Sequence, residues 1–229
     1  MRCIAFVSPK GGAGKTTAAL VLALGLVDSG QRVAMIDADP NKPLVQWRRL
    51  PNSPDLLSVH AAPTMQDIPD AQREARRRNP DWIIMDTEGS LRGAMAFTAI
   101  RPNLVLTPLT GSQLEANQAI KAAEMVETLG QRGGRRVPHR CLLTRIPAAI
   151  RPRSLKSVVA QLRERDIELL PTALLEKEAF RALFSIGGGF AALEEAGVSG
   201  IVAARQNAAA YVGAVLELLG PEVAPAVAV

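Results

Sequence analysis

The chain has 229 residues, of which 48% are hydrophobic and only 3% aromatic, and its formal net charge is +5. A chain of this length can bury one sizeable core, and a core of Ala, Leu, Val and Ile suits a parallel sheet covered by helices. No apolar run reaches the roughly 18 uncharged residues of a membrane-spanning helix. Cys3 and Cys141 lie far apart inside apolar runs, which indicates buried free thiols in a cytoplasmic protein.

Strands and helices alternate along the first part of the chain. An apolar strand over 3–7 leads through a glycine-rich loop into a helix over 15–27, and a second strand over 32–36 follows. Prolines are then frequent, which favours irregular loop with one short helix over 44–49.

The later elements continue the alternation. They are a polar helix over 64–78, strands over 82–86, 104–107 and 141–144, a helix over 113–129, a helix near 153–165, a strand near 167–170 and a last helix near 202–219. This order predicts an α/β fold with a doubly wound, mostly parallel sheet flanked by helices on both faces. We expect one P-loop domain over 1–219 and a disordered tail over 220–229, which is rich in Pro, Ala and Val.

Residues 8–17 read SPKGGAGKTT and end like a phosphate-binding loop. The pattern G-x-x-x-x-G-K-[ST] expects glycine where this chain has Pro9, and the loop adds a second lysine, Lys10. Backbone N–H groups and the helix N-terminus of such a loop converge on phosphates. Lys15 is predicted to reach the β- and γ-phosphates and Thr16 to bind Mg²⁺. The residues predicted to hold ATP are Gly11, Gly12, Ala13, Gly14, Lys15, Thr16 and Thr17.

Three carboxylates are predicted at the same edge of the sheet, because ligands of doubly wound sheets bind at the carboxyl ends of the strands. Asp86 ends an apolar strand, where a carboxylate that assists magnesium belongs. Asp37 and Asp39 lie two residues apart, so they point the same way if the backbone is extended. Two carboxylates facing a triphosphate require Mg²⁺ or a water molecule; one can support the metal while the other orients the attacking water.

The loop and the carboxylates resemble the deviant-Walker ATPases of the ParA/MinD family. The resemblance implies that Lys10 reaches the partner's phosphates across an ATP-sandwiched homodimer, while Lys15 contacts those of its own subunit. Because hydrolysis removes the γ-phosphate that Lys10 contacts, the dimer is expected to loosen afterwards. The stretches that carry the resemblance are KGGAGKTT over 10–17, MIDADP over 35–40 and IMDT over 84–87.

The resemblance also implies roles for single residues. Asp39 is expected to position the hydrolytic water and is, with Lys10 and Lys15, catalytic. Asp37 is expected to support the magnesium region, and Asp86 to be the Walker B carboxylate. The two residues expected near the adenine are Thr144, where many relatives carry Asn or Thr, and Pro171, which lies in the other base-contacting loop.

Positive charge is concentrated late in the chain, where residues 131–181 hold 12 Lys/Arg against 5 Asp/Glu. Such a segment is either a solvated face or a surface that binds DNA phosphates. ParA-like DNA carriers bind nonspecific DNA as ATP dimers through late basic residues. The candidates here are Arg151, Arg153, Lys156, Arg163, Arg165, Lys177, Arg181 and Arg205, with the first three preferred.

The branches of this family differ in ways that a sequence can show. MinD-like proteins end in a basic amphipathic helix that lies on lipid, but residues 211–219 contain no basic residue, so no stable membrane association is expected. Nitrogenase-type reductases need two cluster-binding cysteines, and Cys3 is predicted at the wrong edge of the sheet. An amide-forming synthetase needs an acceptor pocket, which no motif of this chain indicates.

Two stretches depart from the commonest family pattern. Glu88 and Gly89 follow Asp-Thr where many relatives have two prolines; Glu88 is either a second carboxylate at the site or, as favoured here, a surface contact. The sequence PNKPLVQW over 40–47 looks closer to small orphan ParA-like proteins, including the VirC-type ATPases that help deliver T-DNA to a conjugation channel. Only nine residues precede Lys10, so no helix-turn-helix is expected before the loop.

The leading hypothesis is a nucleoid-associated ATPase whose ATP-induced homodimer binds nonspecific DNA and positions a cargo. The cargo is a plasmid, a chromosome region or a protein complex, and slow ATP hydrolysis, stimulated by a ParB-like or other partner, releases it. The alternative is an ATP-switched protein adaptor, MinD-like or VirC-like, which recruits a partner complex and has no general role as a DNA carrier.

Overall fold

Strands and helices alternate through the part of the chain that the computed structural model describes, namely residues 1–9, 11–89, 101–134, 136–147 and 153–220. The strands are β1 (Arg2–Phe6), β2 (Val33–Ala38), β3 (Leu57–Ala61), β4 (Trp82–Thr87), β5 (Leu104–Leu109), β6 (His139–Ile146) and β7 (Leu174–Leu175). The helices are α1 (Lys15–Asp28), α2 (Pro43–Arg48), α3 (Ile68–Arg76), α4 (Gln113–Arg132), α5 (Arg153–Arg163), α6 (Glu178–Ile186), α7 (Phe190–Glu195) and α8 (Ile201–Leu219).

The strands form one sheet in the order β3-β2-β4-β1-β5-β6-β7. Every strand pair in it is parallel, and the register places Phe6 and Asp37 each opposite Asp86. The chain starts in the centre of the sheet and builds outward in both directions, which creates the crevice at the carboxyl ends of the strands where such folds bind ligands. The predicted α/β fold with a doubly wound parallel sheet is confirmed.

Helices cover both faces of the sheet because successive strand residues point to opposite sides. On one face, Ile4 and Phe6 of β1 pack in the cluster that contains α1, α2, α6, α7 and α8. On the other face, Cys3 and Ala5 pack against α3 and α4. A smaller cluster joins α4 to α5 beneath β6. Central strands that are buried on both faces explain why they are almost continuously apolar.

The long helices α1 and α8 lie against each other on one face of the sheet. Gly25 marks the closest approach, since a Cβ atom built on it would lie only 2.6 Å from Cγ2 of Val212. At Gly213, the residue after Val212 in α8, a Cβ atom would meet no neighbouring group of the described residues within 4 Å. The glycine of α1 is therefore a packing requirement, whereas that of α8 is not.

Several sequence predictions about elements are corrected by the structure. The proline-rich stretch is not only loop and short helix, because it contains β3, which pairs in parallel with β2. The strand predicted near 167–170 is only an isolated bridge between Leu169 and Cys141, and β7 lies after it. The polar helix predicted over 64–78 is α3, which covers only Ile68–Arg76. The helices α6 and α7 were not predicted from the sequence.

Other predictions about the chain are met within the described residues or lie outside them. Cys3 and Cys141 are both buried, as predicted, and the described residues contain no disulfide. None of the helices within the described ranges has the length and apolar character needed to cross a membrane. Residues 221–229 of the predicted tail lie outside the described residues.

Candidate functional site

The glycine-rich loop connects the carboxyl end of β1 to the first turn of α1. Gly14 is the residue before the helix, and its φ of 79° lies in the left-handed region that glycine adopts without a steric penalty. Gly14 has no side chain to cap the first turn of α1, and no other cap of this turn is found among the described residues. Its free N–H groups and the helix dipole therefore form an anion site, in keeping with the predicted phosphate cradle. Lys10 lies outside the described residues.

Asp86 lies beside the first turn of α1 and is fully buried. Its Oδ2 accepts a hydrogen bond of 2.6 Å from Thr16 Oγ1, whereas its Oδ1 has no hydrogen-bond partner among the described residues. Burial raises the pKa of Asp86 to about 7, although the bond from Thr16 and the charge of Lys15 act in the opposite direction. An unpartnered buried carboxylate oxygen requires a cation, a water or a proton.

The donor set suits magnesium bound together with a nucleotide. Mg²⁺ usually takes one or two protein oxygens and completes its shell with water and phosphate oxygens. Thr16 Oγ1 and Asp86 supply such oxygens, and no group of three or more His, Cys, Asp or Glu side chains in the described ranges could hold a metal ion by itself. The residues present therefore fit Mg²⁺ that arrives with a triphosphate.

Lys15 is buried, with 6% of its surface exposed, and stands among acidic groups. Burial lowers the pKa of its ammonium group, while the charges of Asp86, Asp39 and Glu88 act to raise it. Glu88 is half-buried, and its expected role as a surface contact stays a prediction. The ammonium group is thus poised to gain a stronger counter-charge from a phosphate.

Asp37 performs a structural task that its position in the sequence did not reveal. Its Oδ2 accepts hydrogen bonds of 2.9 Å from the backbone N–H groups of both Leu44 and Val45, at the start of α2. Its Oδ1 receives only a weaker contact of 3.4 Å from the N–H of Asp39. Burial raises the pKa of Asp37 despite these bonds. Asp37 thus holds the turn after β2, and its predicted support of the metal region stays a prediction.

Asp39 is half-buried and is the first residue of the same turn. Its Oδ1 accepts a 2.8 Å hydrogen bond from the N–H of Asn41, which stabilises the bend that follows. The charge of Asp39 acts on both Lys15 and Asp86. Asp39 therefore lies close enough to Lys15 of the loop and to Asp86 of β4 to act on both, while its role with water stays a prediction.

Thr144 ties β6 to the phosphate loop. Its Oγ1 donates a 2.8 Å hydrogen bond to the carbonyl of Ala13, and the residue is 1% exposed. Thr87 makes a similar tie between strands, since its Oγ1 donates to the carbonyl of Phe6 at 2.7 Å. Thr87 was not among the predicted site residues, although its place directly after Asp86 is a signal for it. Pro171 is exposed after Leu170, and its contact with adenine stays a prediction.

The basic residues predicted to bind DNA do not form one uniform surface. Arg151 lies outside the described residues, and of Arg153 only its place at the start of α5 is described. Arg181 pairs with Glu176 and Glu178, and Arg205 pairs with Glu194. The residues without an ion pair to another described residue are Lys156, Arg163 and Arg165, which are exposed, and the half-buried Lys177.

A family model described as VirC1 protein matches residues 1–218. The chain belongs to the VirC1 family. Protein ParA of Rhizobium radiobacter is 28% identical over 221 residues, which are 96% of this chain and 98% of that protein. Protein virC1 of the same organism is 30% identical over 187 residues, or 80% of each chain. The maintenance of carboxysome distribution protein A of Halothiobacillus neapolitanus is 27% identical over 187 residues, 78% of this chain and 81% of that protein.

Solved structures show the same fold for this member of the VirC1 family. The ATP complex of Cyanothece McdA(D38A) has a TM-score of 0.70 at 18% identity, covering 94% of this chain and 96% of that one. The cell division ATPase MinD of Pyrococcus furiosus has a TM-score of 0.67 at 19% identity, covering 95% and 99%. The predicted resemblance to ParA/MinD ATPases, including its VirC-type members, is confirmed.

Proposed function

We propose that the chain is an ATPase that acts as a nucleotide-dependent switch of the ParA/MinD type. ATP and Mg²⁺ bind at the loop between β1 and α1, two ATP-bound copies form a homodimer, and the dimer binds nonspecific DNA and positions a cargo. The observation that carries the proposal is the pairing of Thr16 Oγ1 with Asp86, whose second oxygen is buried without a partner in the described residues.

The residues of the site divide the work of binding and hydrolysis. Thr16 and Asp86 would hold the metal, which when bound polarises the phosphate oxygens. Lys15 neutralises phosphate charge, since a buried ammonium gains most from an added anion. Asp39 orients the attacking water. With Asp39 as the one side chain assigned to the water, a slow basal rate that a partner stimulates is expected.

DNA binding in this proposal rests on the basic residues of α5 and its surroundings. Lys156 and Arg163 are exposed on α5 and lie two helical turns apart, hence on one face. Neither forms an ion pair with another described residue. Free guanidinium and ammonium groups on one helix face can contact successive phosphates, and such contacts release counterions.

A gel shift on random-sequence DNA with ATP, with ADP and without nucleotide tests the proposal. We expect a shift with ATP only, lost in Lys15→Ala, enhanced in Asp39→Ala and weakened steeply by salt. Lys10→Ala is expected to retain ATP but to sediment as a monomer. Sedimentation of Asp39→Ala as a monomer with Mg²⁺ and ATP would contradict the dimer.

The DNA surface is tested with a matched pair of double variants. Lys156→Ala/Arg163→Ala removes unpaired charges, whereas Arg181→Ala/Arg205→Ala removes the same number of charges that already have acidic partners. We expect the first double variant to weaken the ATP-dependent shift more than the second. It should also lower the slope of log affinity against log salt concentration by about one for each basic residue removed. Equal effects would mean that net charge, not this helix face, governs the shift.

The second candidate is an ATP-switched protein adaptor without a general DNA role. The ion pairs of Arg181 and Arg205 favour it, because they already neutralise two of the candidate DNA-binding residues. An ATP-dependent dimer in sedimentation together with no DNA shift at low salt would establish this alternative over the first.

A further inference from the structure

Arg145 has a backbone conformation that arginine seldom adopts. Its φ is 52°, in the left-handed region, although it lies within a strand. The pairing of β6 with β7 shifts register between Thr144 and Ile146, so Arg145 is the residue that bulges from the ladder. Bulges of this kind recur next to functional sites, where they redirect one side chain. A strained residue persists where the surroundings impose its conformation.

The bulge directs the Arg145 side chain to the phosphate loop. A Cβ atom built on Gly14 would lie 3.7 Å from Arg145 Nε and 3.6 Å from Thr144 Oγ1. The two consecutive residues thus flank the last glycine before α1, and Thr144 bonds the loop carbonyl beside it. Arg145 therefore stands at the rim of the proposed nucleotide site, on the side of β6.

The guanidinium group of Arg145 has no acidic partner among the residues that the structure describes. The residue is exposed, and it forms no ion pair with another described residue. Arg140 of the same strand offers a contrast, because it pairs with Glu168. An ordinary surface arginine needs neither strain nor this position, and glycine or asparagine would adopt the same φ at lower cost.

We propose that Arg145 contacts the bound nucleotide and contributes to its affinity, an inference that rests on the proposed nucleotide site. A guanidinium group offers a planar fork of N–H donors to phosphate oxygens and a flat cationic face to an aromatic base. Both partners belong to the same ligand. Arg145 closes the site from the strand β6 side, opposite the carboxylates near the carboxyl ends of β2 and β4.

The test compares nucleotide binding with stability in matched variants. Arg145→Gly removes the side chain and relieves the left-handed strain, so the nucleotide-free protein should unfold at a higher temperature by a few degrees. Its affinity for Mg·ATP in calorimetric titration should fall about tenfold or more, the usual worth of a hydrogen bond to a charged group. Arg145→Lys, which keeps the charge, should lose less affinity than Arg145→Gly.

Asp166→Gly is the control, because Asp166 also has a left-handed φ, of 54°, but lies beyond the end of α5. It should leave affinity for Mg·ATP unchanged. Inorganic triphosphate separates the two contacts: a parallel loss for this ligand assigns the phosphates, and a loss for ATP alone assigns the base or ribose. Affinity of Arg145→Gly within twofold of wild type overturns the inference. Absence of nucleotide binding by the wild-type protein instead overturns the proposed function itself.

Discussion

The carboxylate of Asp37 is predicted to stabilise the folded protein around the site, even when no nucleotide is bound. It is fully buried and accepts hydrogen bonds of 2.9 Å from the N–H groups of both Leu44 and Val45. In Asp37→Ala both donors lose their acceptor, and the N–H of Leu44 is buried. Each buried donor left without a partner costs about 1–3 kcal/mol.

The loss of two donors is partly offset, because removing a buried carboxylate also removes its desolvation cost, which shows in the raised pKa of Asp37. We therefore expect Asp37→Ala to lower the free energy of unfolding by about 2–4 kcal/mol. That is a large share of the roughly 5–15 kcal/mol typical of a domain. Urea unfolding, followed by circular dichroism in buffer with EDTA and no nucleotide, measures it.

Asp67→Ala provides the matched control for this prediction. Asp67 also accepts from a backbone N–H, that of Thr64, at 3.0 Å, but the contact is exposed. Water replaces the lost acceptor there, so a cost of only about 1 kcal/mol or less is expected. If Asp37→Ala were no less stable than Asp67→Ala, Asp37 would not hold α2, and any loss of ATP binding in it would point to the metal instead.

Three further predictions concern packing, pH and the loop. Gly25→Ala should destabilise the protein by about 1–3 kcal/mol through overpacking of α1 on α8, whereas Gly213→Ala should stabilise it by about 0.5–1 kcal/mol; equal urea midpoints would contradict this. Burial raises the pKa of Asp86 from 3.8 to about 7 in the folded protein. Its contribution to stability is therefore present below about pH 4 and lost as pH rises through about 7, and Asp86→Asn should flatten that profile in EDTA. Thr144→Val removes the 2.8 Å bond to the Ala13 carbonyl and leaves that carbonyl without its donor, so it should lower the free energy of unfolding by about 1–3 kcal/mol. It should also weaken Mg·ATP binding about fivefold, measured by calorimetric titration; an unaltered affinity would contradict a role of this bond in holding the loop.

How much the sequence predicts depends on how local the determining interactions are. The loop before Lys15 and the strand ending at Asp86 are recognisable because short apolar runs, glycines and a Lys-Thr pair are local signals. β3 is not, because prolines surround it and the strand it pairs with in the described part of the chain, β2, lies more than twenty residues earlier. The strand predicted near 167–170 is wrong for the same reason: only the bridge between Leu169 and Cys141 forms there, since pairing partners, not propensity, define a short strand.

The site shows a similar limit. The spacing of Asp37 and Asp39 suggests two carboxylates near the end of β2, but it does not show that α2 folds back so that Asp37 accepts its first N–H groups. The position of Arg145 at the loop depends on a bulge in β6, which no residue pattern announces. Likewise the acidic partners of Arg181 lie within five residues of it in the sequence, so the sequence suggests them. The pairing of Arg205 with Glu194 instead depends on how α7 packs against α8.

The charges of the described site show why metal and nucleotide should bind together. Burial acts on Lys15 and Asp86 in opposite directions, lowering the pKa of the first and raising that of the second, so both are moved toward their neutral forms. A phosphate near Lys15 favours its charged form, and a divalent cation near Asp86 favours the carboxylate. The bound phosphate and the bound cation then attract each other over a short distance in a buried site, so each favours binding of the other. Mg²⁺ should accordingly raise ATP affinity, and its effect should shrink in Asp86→Asn although Lys15 is intact; an unchanged effect would place the metal elsewhere.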